Sequence, residues 1–208
     1  AFASAAACGS CHEFRFFDAR LGTNDERVQL MQRTLSEHHE GSFEATACAG
    51  CHMPKLGSGE GRHRAHSFPG GHAPAFVRNA LSVRAERRTP TAITLTLTPE
   101  NVTHAVPTGD LFRRLALTAR ATTRDGRELV TQRFLARHHE LRDRGQRLEV
   151  SDDRPHLVAR VVTLELGPGA AGRPVEYSVI YQRVDHLVGD DENDAVIAGE
   201  VVIDQGAL

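Results

Sequence analysis

The chain of 208 residues has little of several residue types, and each shortage excludes a class of protein. It has no Trp, only 5% aromatic residues, and 25 basic against 27 acidic side chains. Because binding to nucleic acid depends on an excess of cationic side chains, a net charge of −2 argues against that function. No apolar run approaches the roughly 18–20 residues that span a bilayer. Cysteine is also scarce, with 4 residues beside 12 histidines.

All four cysteines belong to two copies of one motif. The copies are Cys8-Gly-Ser-Cys11-His12 and Cys48-Ala-Gly-Cys51-His52. The C-x-x-C-H sequence attaches c-type haem, because its two thiols can add to the two vinyl groups of one porphyrin and the next imidazole reaches the iron. The sequence therefore predicts two haem c groups, bound covalently through the four cysteines, with His12 and His52 as proximal iron ligands.

Other uses of paired cysteines fit this spacing less well. A zinc site built from two C-x-x-C pairs usually has a gap of about 15–20 residues, and here the pairs are much further apart. Zinc also gives no reason for a histidine after each second cysteine. A thioredoxin-type motif would be single and set in a βαβ unit, and a disulfide within C-x-x-C is usually redox-active rather than structural.

The composition changes near residue 80, which predicts two domains. Residues 1–80 are rich in Gly, Ala and His and contain both haem motifs. Val28, Met31 and Leu35 recur with helical spacing, so a helix is predicted over residues 25–39, and Pro74 can begin a second, short helix. So few elements make a poor core by themselves, and the haems would supply the missing apolar mass. We therefore expect a small, irregular or helical dihaem domain over residues 1–80.

From residue 81 onward, apolar residues alternate with polar ones, as in half-buried strands. Seven such runs are separated by turns, and they lie at residues 81–85, 93–97, 115–122, 128–136, 157–166, 175–184 and 196–203. This pattern predicts an antiparallel, immunoglobulin-like β-sandwich over residues 81–208, and so an α+β chain as a whole. The acidic segment 190–194 could bind Ca²⁺, but a solvated turn is favoured because EF-hand spacing is absent.

Each iron needs a second axial ligand, and histidine is the expected one. Met53 directly follows a proximal histidine and cannot readily reach the opposite face of the same haem, and Met31 lies on the apolar stripe of the predicted helix. The candidates are then His38 or His39, followed by His63, His66 and His72, and finally His104. Ligation by two histidines predicts haems of low potential, because Met/His ligation is the arrangement that raises the potential.

Several further segments carry a resemblance to a known family. The second haem motif continues as Met53-Pro54, residues 62–71 read Arg-His-Arg-Ala-His-Ser-Phe-Pro-Gly-Gly, and residues 104–109 read His-Ala-Val-Pro-Thr-Gly. Together with residues 31–38, they resemble multihaem c-type cytochromes of the cytochrome c554 type, over roughly residues 8–120. In that family the His-x-x-Pro-Thr-Gly block stands where the haem segment runs into a β-sandwich. Many members carry four or more haems, whereas this chain can attach only two covalently.

The resemblance implies three distal ligands, His38, His66 and His104, for only two vacant positions. Either His104 is a turn histidine at the domain junction, or His38 is the spare, or one histidine ligates a haem of a neighbouring subunit. The last arrangement would suit a haem-lined extracellular polymer, in which a head-to-tail contact propagates.

The expected function is electron transfer by a dihaem cytochrome without catalytic residues. The expected partners are redox proteins and further copies of the chain, which would form an oligomer or filament. A dihaem enzyme of peroxidase or nitrogen-oxide reductase type is the alternative, and it requires one iron with an open site. A haem-containing binding module ranks third, because the β part shows no aromatic cluster. Covalent haem attachment occurs on the export side, which predicts a periplasmic or extracellular protein. Residues 1–7 lack the features of a signal peptide, and we expect a mature terminus or the cut edge of a longer chain.

Overall fold

The computed structural model of the chain describes residues 4–17, 29–41, 46–110, 112–141, 147–188 and 191–208. Within these segments the chain is mostly β, and its α-helices are short. The helices are α1 (Ala6–His12), α2 (Thr34–Glu40), α3 (Cys48–His52) and α4 (Pro74–Arg78). The strands are β1 (Glu13–Arg15), β2 (Leu30–Arg33), β3 (Lys55–Leu56), β4 (His63–Arg64), β5 (Leu81–Thr89), β6 (Ala92–Pro99), β7 (Arg113–Thr122), β8 (Glu128–Leu135), β9 (Arg137–Leu141), β10 (Arg147–Asp152), β11 (Arg160–Glu165), β12 (Val175–Val188) and β13 (Asp191–Ala207).

The predicted α+β class, with a helical or irregular dihaem domain followed by an immunoglobulin-like sandwich, is wrong. Antiparallel strands occur along the whole chain. In the first 80 residues, β1 pairs with β2 and β3 pairs with β4, so the short helices are set among strand pairs. The remaining strands form a three-stranded sheet, a four-stranded sheet and one further pair.

Only the end of the helix predicted over residues 25–39 is helical. Residues 25–28 lie outside the described residues, and α2 begins at Thr34, directly after β2. In β2 the backbone carbonyls of Leu30 and Met31 accept hydrogen bonds of 2.6 and 2.7 Å from the guanidinium of Arg137. A helix would use these carbonyls for its own backbone bonds, so a contact made 106 residues away along the sequence overrides the local periodicity.

Two larger sheets share one apolar core. The three-stranded sheet has the order β11-β6-β5, and the four-stranded sheet has the order β13-β12-β7-β8. Each of the seven predicted period-two runs overlaps one of these strands, because alternate apolar residues point into the core. On β6 the fully buried residues are Ile93, Leu95 and Leu97, and on β7 they include Leu115 and Leu117. All of them belong to the same cluster.

The pair β9–β10 was not predicted, and it connects the sheets to the N-terminal part of the chain. Arg137 of β9 binds the carbonyls of β2 and also donates a 2.7 Å hydrogen bond to Glu149 of β10. The backbone N–H of Glu149 in turn donates to the side-chain oxygen of Gln29, at 2.7 Å. Residues near β2 are thereby fixed against the C-terminal half of the chain.

Helix α4 begins at Pro74, as predicted, and makes a second connection. Its Val77 is buried in the shared core, and Nε of Arg78 donates a 2.9 Å hydrogen bond to the carbonyl of Val202 in β13. In the segments that the structure describes, no helix is long and apolar enough to cross a membrane.

Candidate haem site

The two C-x-x-C-H motifs form short helices, α1 and α3, so the two cysteines of each motif lie one turn apart on one helix face. All four cysteines are free thiols. The first cysteines of the two motifs are neighbours, since the side chains of Cys8 and Cys48 hydrogen-bond to each other. Burial, and then the contact with Cys8, raise the pKa of Cys48. The structure therefore brings the two motifs, which are distant in sequence, into one site.

Helix α1 also packs closely on α2. A Cβ atom at Gly9 would lie 2.6 Å from Cδ2 of Leu35, so the close approach of the helices favours glycine between the first pair of cysteines. His12 lies three residues after Gly9, and His38 lies three residues after Leu35, so each histidine shares the face on which its helix contacts the other.

His52 has the arrangement expected of a haem ligand. Its Nδ1 donates a 2.7 Å hydrogen bond to the backbone carbonyl of Pro69. The ring is half-buried and lies 5.1 Å from the ring of Phe76. Because Nδ1–H is held by a carbonyl, the imidazole is fixed in the tautomer whose Nε2 lone pair can bind a metal.

His104 lies in the loop after β6, and its ring lies near that of His52. The two ring centres are 6.3 Å apart and the planes differ by 23°. Two imidazoles on opposite sides of one iron, with metal–nitrogen bonds of about 2 Å and ring centres about 1 Å beyond each nitrogen, would be separated by about 6 Å. Nδ1 of His104 donates to the carbonyl of Ala105 at 3.0 Å, which again leaves Nε2 available.

His104 is also disposed to stay neutral, as a ligand must. Burial lowers its pKa, and the neighbouring His52 and His38 lower it further. The hydrogen bond to Ala105 and the charge of Glu37 act in the opposite direction without cancelling the shift. A neutral imidazole keeps the nitrogen lone pair that binds iron.

His38 is buried, with 4% of its surface exposed, whereas His39 beside it is exposed. Nδ1 of His38 hydrogen-bonds at 2.7 Å to Oγ1 of Thr103, the residue directly before His104. Of the two histidines that the sequence pattern left unseparated, His38 is thus the one built into the site.

The other candidate histidines lie at the surface. His12, His63, His66 and His72 are exposed. His66 stacks on the ring of Phe68 at 6.4 Å, and Nδ1 of His63 donates to the carbonyl of Gly61 at 3.0 Å. In the described part of the chain, the structure pairs none of these four with a second histidine ring.

Sequence reasoning missed a buried carboxylate at the centre of the site. Glu37 is 1% exposed and lies beside His38 on α2. Burial by itself would raise its pKa, but the charge of Arg154 and the hydrogen bonds from Thr108 and Arg154 lower it below its ordinary value. The signal was present as an acidic residue directly before a predicted ligand, yet Thr108 and Arg154, which lower this pKa, lie more than 60 residues away.

The donor set fits haem c. Among the described residues, no group of three or more His, Cys, Asp or Glu side chains could hold a metal ion. Haem iron needs only two protein ligands, because the porphyrin supplies the other four, and His52 and His104 have that arrangement. Of the acidic segment 190–194, residue 190 lies outside the described residues, and residues 191–194 belong to β13.

Comparison with known proteins gives one informative match. No family model matches the chain, and no curated protein matches its sequence. The structure is similar to that of a penta-haem cytochrome c552 from Thermochromatium tepidum, with a TM-score of 0.67 and 22% sequence identity. The chain has a multihaem cytochrome-like fold. The match covers 99% of this chain and 55% of the cytochrome, so the chain spans about half the length of its structural neighbour.

Proposed function

We propose that the chain is a dihaem c-type cytochrome that transfers electrons. One haem would be attached to Cys8 and Cys11 and the other to Cys48 and Cys51, because these are the cysteines of the two C-x-x-C-H helices. When bound, haem supplies an iron that changes between two oxidation states. The multihaem cytochrome-like fold supports the proposal.

The single observation that carries the proposal is the approach of the rings of His52 and His104. Their rings lie nearly parallel at 6.3 Å, and the Nδ1 atom of each donates to a backbone carbonyl. The proposed roles follow from this arrangement: His52 is the proximal ligand of the second haem and His104 is its distal ligand. The two hydrogen bonds hold each ring in one tautomer and one orientation, as outer partners of metal ligands do.

For the first haem, we propose His12 as proximal ligand and His38 as distal ligand. The support is that α1 and α2 contact each other through the faces that contain these two histidines, and that His38 is buried with Nδ1 engaged. His66 is then the spare histidine, and its exposure makes it the one available to another copy of the chain. The predicted polymer rests on this residue alone.

The test is a set of histidine variants in the haem-loaded protein. We expect His104→Ala and His38→Ala each to convert one low-spin haem to high spin, and His66→Ala to convert none in the monomer. His186→Ala is the matched control, since His186 is exposed and bonded to its own neighbour, Asp185. If His104→Ala leaves both haems low-spin in electron paramagnetic resonance spectra, the assignment is refuted.

The same proposal includes location and partners. Because haem attachment to C-x-x-C-H motifs takes place after export, we propose a periplasmic or extracellular protein whose partners are redox proteins. Fractionation of cells that express the natural gene, with haem staining of each fraction, measures the location. Size-exclusion chromatography of the haem-loaded chain, with and without His66→Ala, measures whether copies associate.

The first haem supports a second candidate function. Although His38 is the best-placed ligand, His12 itself is exposed, which would admit small molecules to that side of the site. A peroxidase or nitrogen-oxide reductase needs one iron with an exchangeable ligand. Turnover of peroxide or nitrite by purified protein, increased in a His38→Ala variant that opens the distal position, would favour this alternative.

A further inference from the structure

We propose that Glu37, together with Arg154, is a positioning residue that holds the loop of His104, so that this histidine stays bound opposite His52. The inference rests on the proposed function of His104 as a distal ligand. The inference assigns a role to a carboxylate and a guanidinium that do not belong to either C-x-x-C-H motif.

The carboxylate of Glu37 binds the His104 loop through one of its oxygens. Oε2 accepts hydrogen bonds from the backbone N–H of Ala105 at 3.3 Å and from Oγ1 of Thr108 at 2.5 Å. These two donors bracket the turn that follows His104. Ala105 is also the residue whose carbonyl accepts the Nδ1–H of His104, so the carboxylate and the imidazole bind the two ends of one residue's backbone.

The other oxygen of Glu37 connects the loop to Arg154. Oε1 accepts a 2.5 Å bond from the guanidinium of Arg154, whose other terminal nitrogen donates to the carbonyl of Pro107 at 2.6 Å. Arg154 is held in turn by both oxygens of Asp152, at 2.9 and 2.7 Å. Charge-assisted hydrogen bonds of this kind are stronger than neutral ones and fix geometry as well as energy.

The contacts fix residues 103–108 at successive positions. Thr103 bonds to His38, Val106 N–H donates to the carbonyl of Pro155 at 2.9 Å, and Thr108 bonds to Thr34 at 3.0 Å as well as to Glu37. Among the described residues, the ring of His104 hydrogen-bonds only to its own neighbour in the chain, Ala105. Its ring is therefore placed by the loop, and Glu37 contacts that loop at both Ala105 and Thr108.

This arrangement makes Glu37 the analogue of an outer-shell ligand partner. Changing such a partner typically weakens metal binding by roughly 10- to 100-fold. A bound distal histidine blocks carbon monoxide from ferrous haem, so the rate of carbon monoxide binding reports how often His104 leaves. We expect Glu37→Gln to raise that rate by roughly 10- to 100-fold at one haem.

The matched variants separate positioning from general destabilisation. Thr108→Val removes one hydrogen bond from the loop to Glu37 and leaves the buried charge of Glu37 in place. It should also raise the rate of carbon monoxide binding. Glu149→Gln is the control, because Glu149 belongs to the same charge network through Arg33 and Arg137 but does not contact the loop. It should leave carbon monoxide binding unchanged while lowering the urea midpoint.

The combined variant decides the outcome. If Glu37 acts only through His104, then Glu37→Gln in a His104→Ala background should cause no further increase in carbon monoxide binding. An additive increase, or an unchanged rate in both Glu37→Gln and Thr108→Val, overturns the inference. Should His104→Ala itself fail to open a haem, the proposed ligand is wrong, and this outcome is distinct because it appears without any change at Glu37. Haem content of every variant is compared first, and Thr108→Val carries the test if Glu37→Gln does not assemble.

Discussion

Replacing Arg154 by Met should destabilise the protein far more than replacing a surface arginine. The side chains of Arg154 and Glu37 are only 3% and 2% exposed, and they form a 2.5 Å ion pair. Removing one partner of a buried pair costs about 3–5 kcal/mol, and Arg33, 3.3 Å from the same carboxylate, compensates only part of the charge left on Glu37. Methionine retains most of the aliphatic packing of the arginine, so the loss measures the charge and its hydrogen bonds.

The assay is equilibrium unfolding of the haem-loaded protein in urea. With a slope of about 2 kcal/mol per molar urea, a loss of about 4 kcal/mol moves the midpoint down by about 2 M. The matched control is Arg120→Met, because the pair of Arg120 and Glu128 is 53% and 60% exposed. Such a surface pair contributes about 0–1 kcal/mol, or less than about 0.5 M in midpoint.

A second variant tests the cause of the loss. If the cost comes from the stranded carboxylate of Glu37, then adding Glu37→Gln to Arg154→Met should restore part of the stability, so the two changes will not add. If Arg154→Met lowers the midpoint no more than Arg120→Met does, then removing Arg154 does not leave a costly buried charge on Glu37, and the reasoning is refuted. If the double variant is simply the sum of the singles, the loss comes from packing instead.

Three other changes should give measurable shifts in the urea midpoint. Leu95→Ala should cost about 2–5 kcal/mol, because Leu95 is fully buried, whereas Val161→Ala at a residue 61% exposed should cost less than about 0.5 kcal/mol. Burial by itself raises the pKa of Asp153, but hydrogen bonds from a histidine ring and a backbone N–H lower it below 3.8 overall. The stability that this group contributes is therefore present above pH 3.8 and is lost as the pH falls through the lowered pKa. Asp153→Asn should make the urea midpoint less dependent on pH in this acidic range. A Cβ atom at Gly71 would lie 2.1 Å from the hydroxyl of Tyr181, so Gly71→Ala should destabilise by about 1–3 kcal/mol, and adding Tyr181→Phe should recover part of it; a double variant as unstable as the single would contradict the contact.

Sequence patterns succeeded here where a structure depends on neighbours along the chain. The start of α4 at Pro74 and the alternation of Ile93, Leu95 and Leu97 on β6 are both local. They failed where a distant residue competes for a backbone group. Arg137 takes the carbonyls of Leu30 and Met31, and a predicted helix becomes a strand.

The three candidate distal ligands stay predictions, and the structure gives them different surroundings. The family resemblance implied His38, His66 and His104 together, and no local feature of the sequence distinguishes them. What distinguishes them is the loop after β6, which brings the ring centre of His104 to 6.3 Å from that of His52, and burial, since His66 lies at the surface. Both depend on packing between parts of the chain that are far apart in sequence.

The division at residue 80, predicted from composition, stays a prediction, but the proposed site does not follow it. His52 and Glu37 precede that position, whereas His104 and Arg154 follow it, and these residues contact one another across the division. The C-terminal strands therefore do more than cap a haem segment. They supply one proposed ligand and the buried cation that holds the ligand's loop. Because the loop is fixed from both sides, a change at Asp152, whose carboxylate holds Arg154, should alter ligand exchange at the proposed haem of His104.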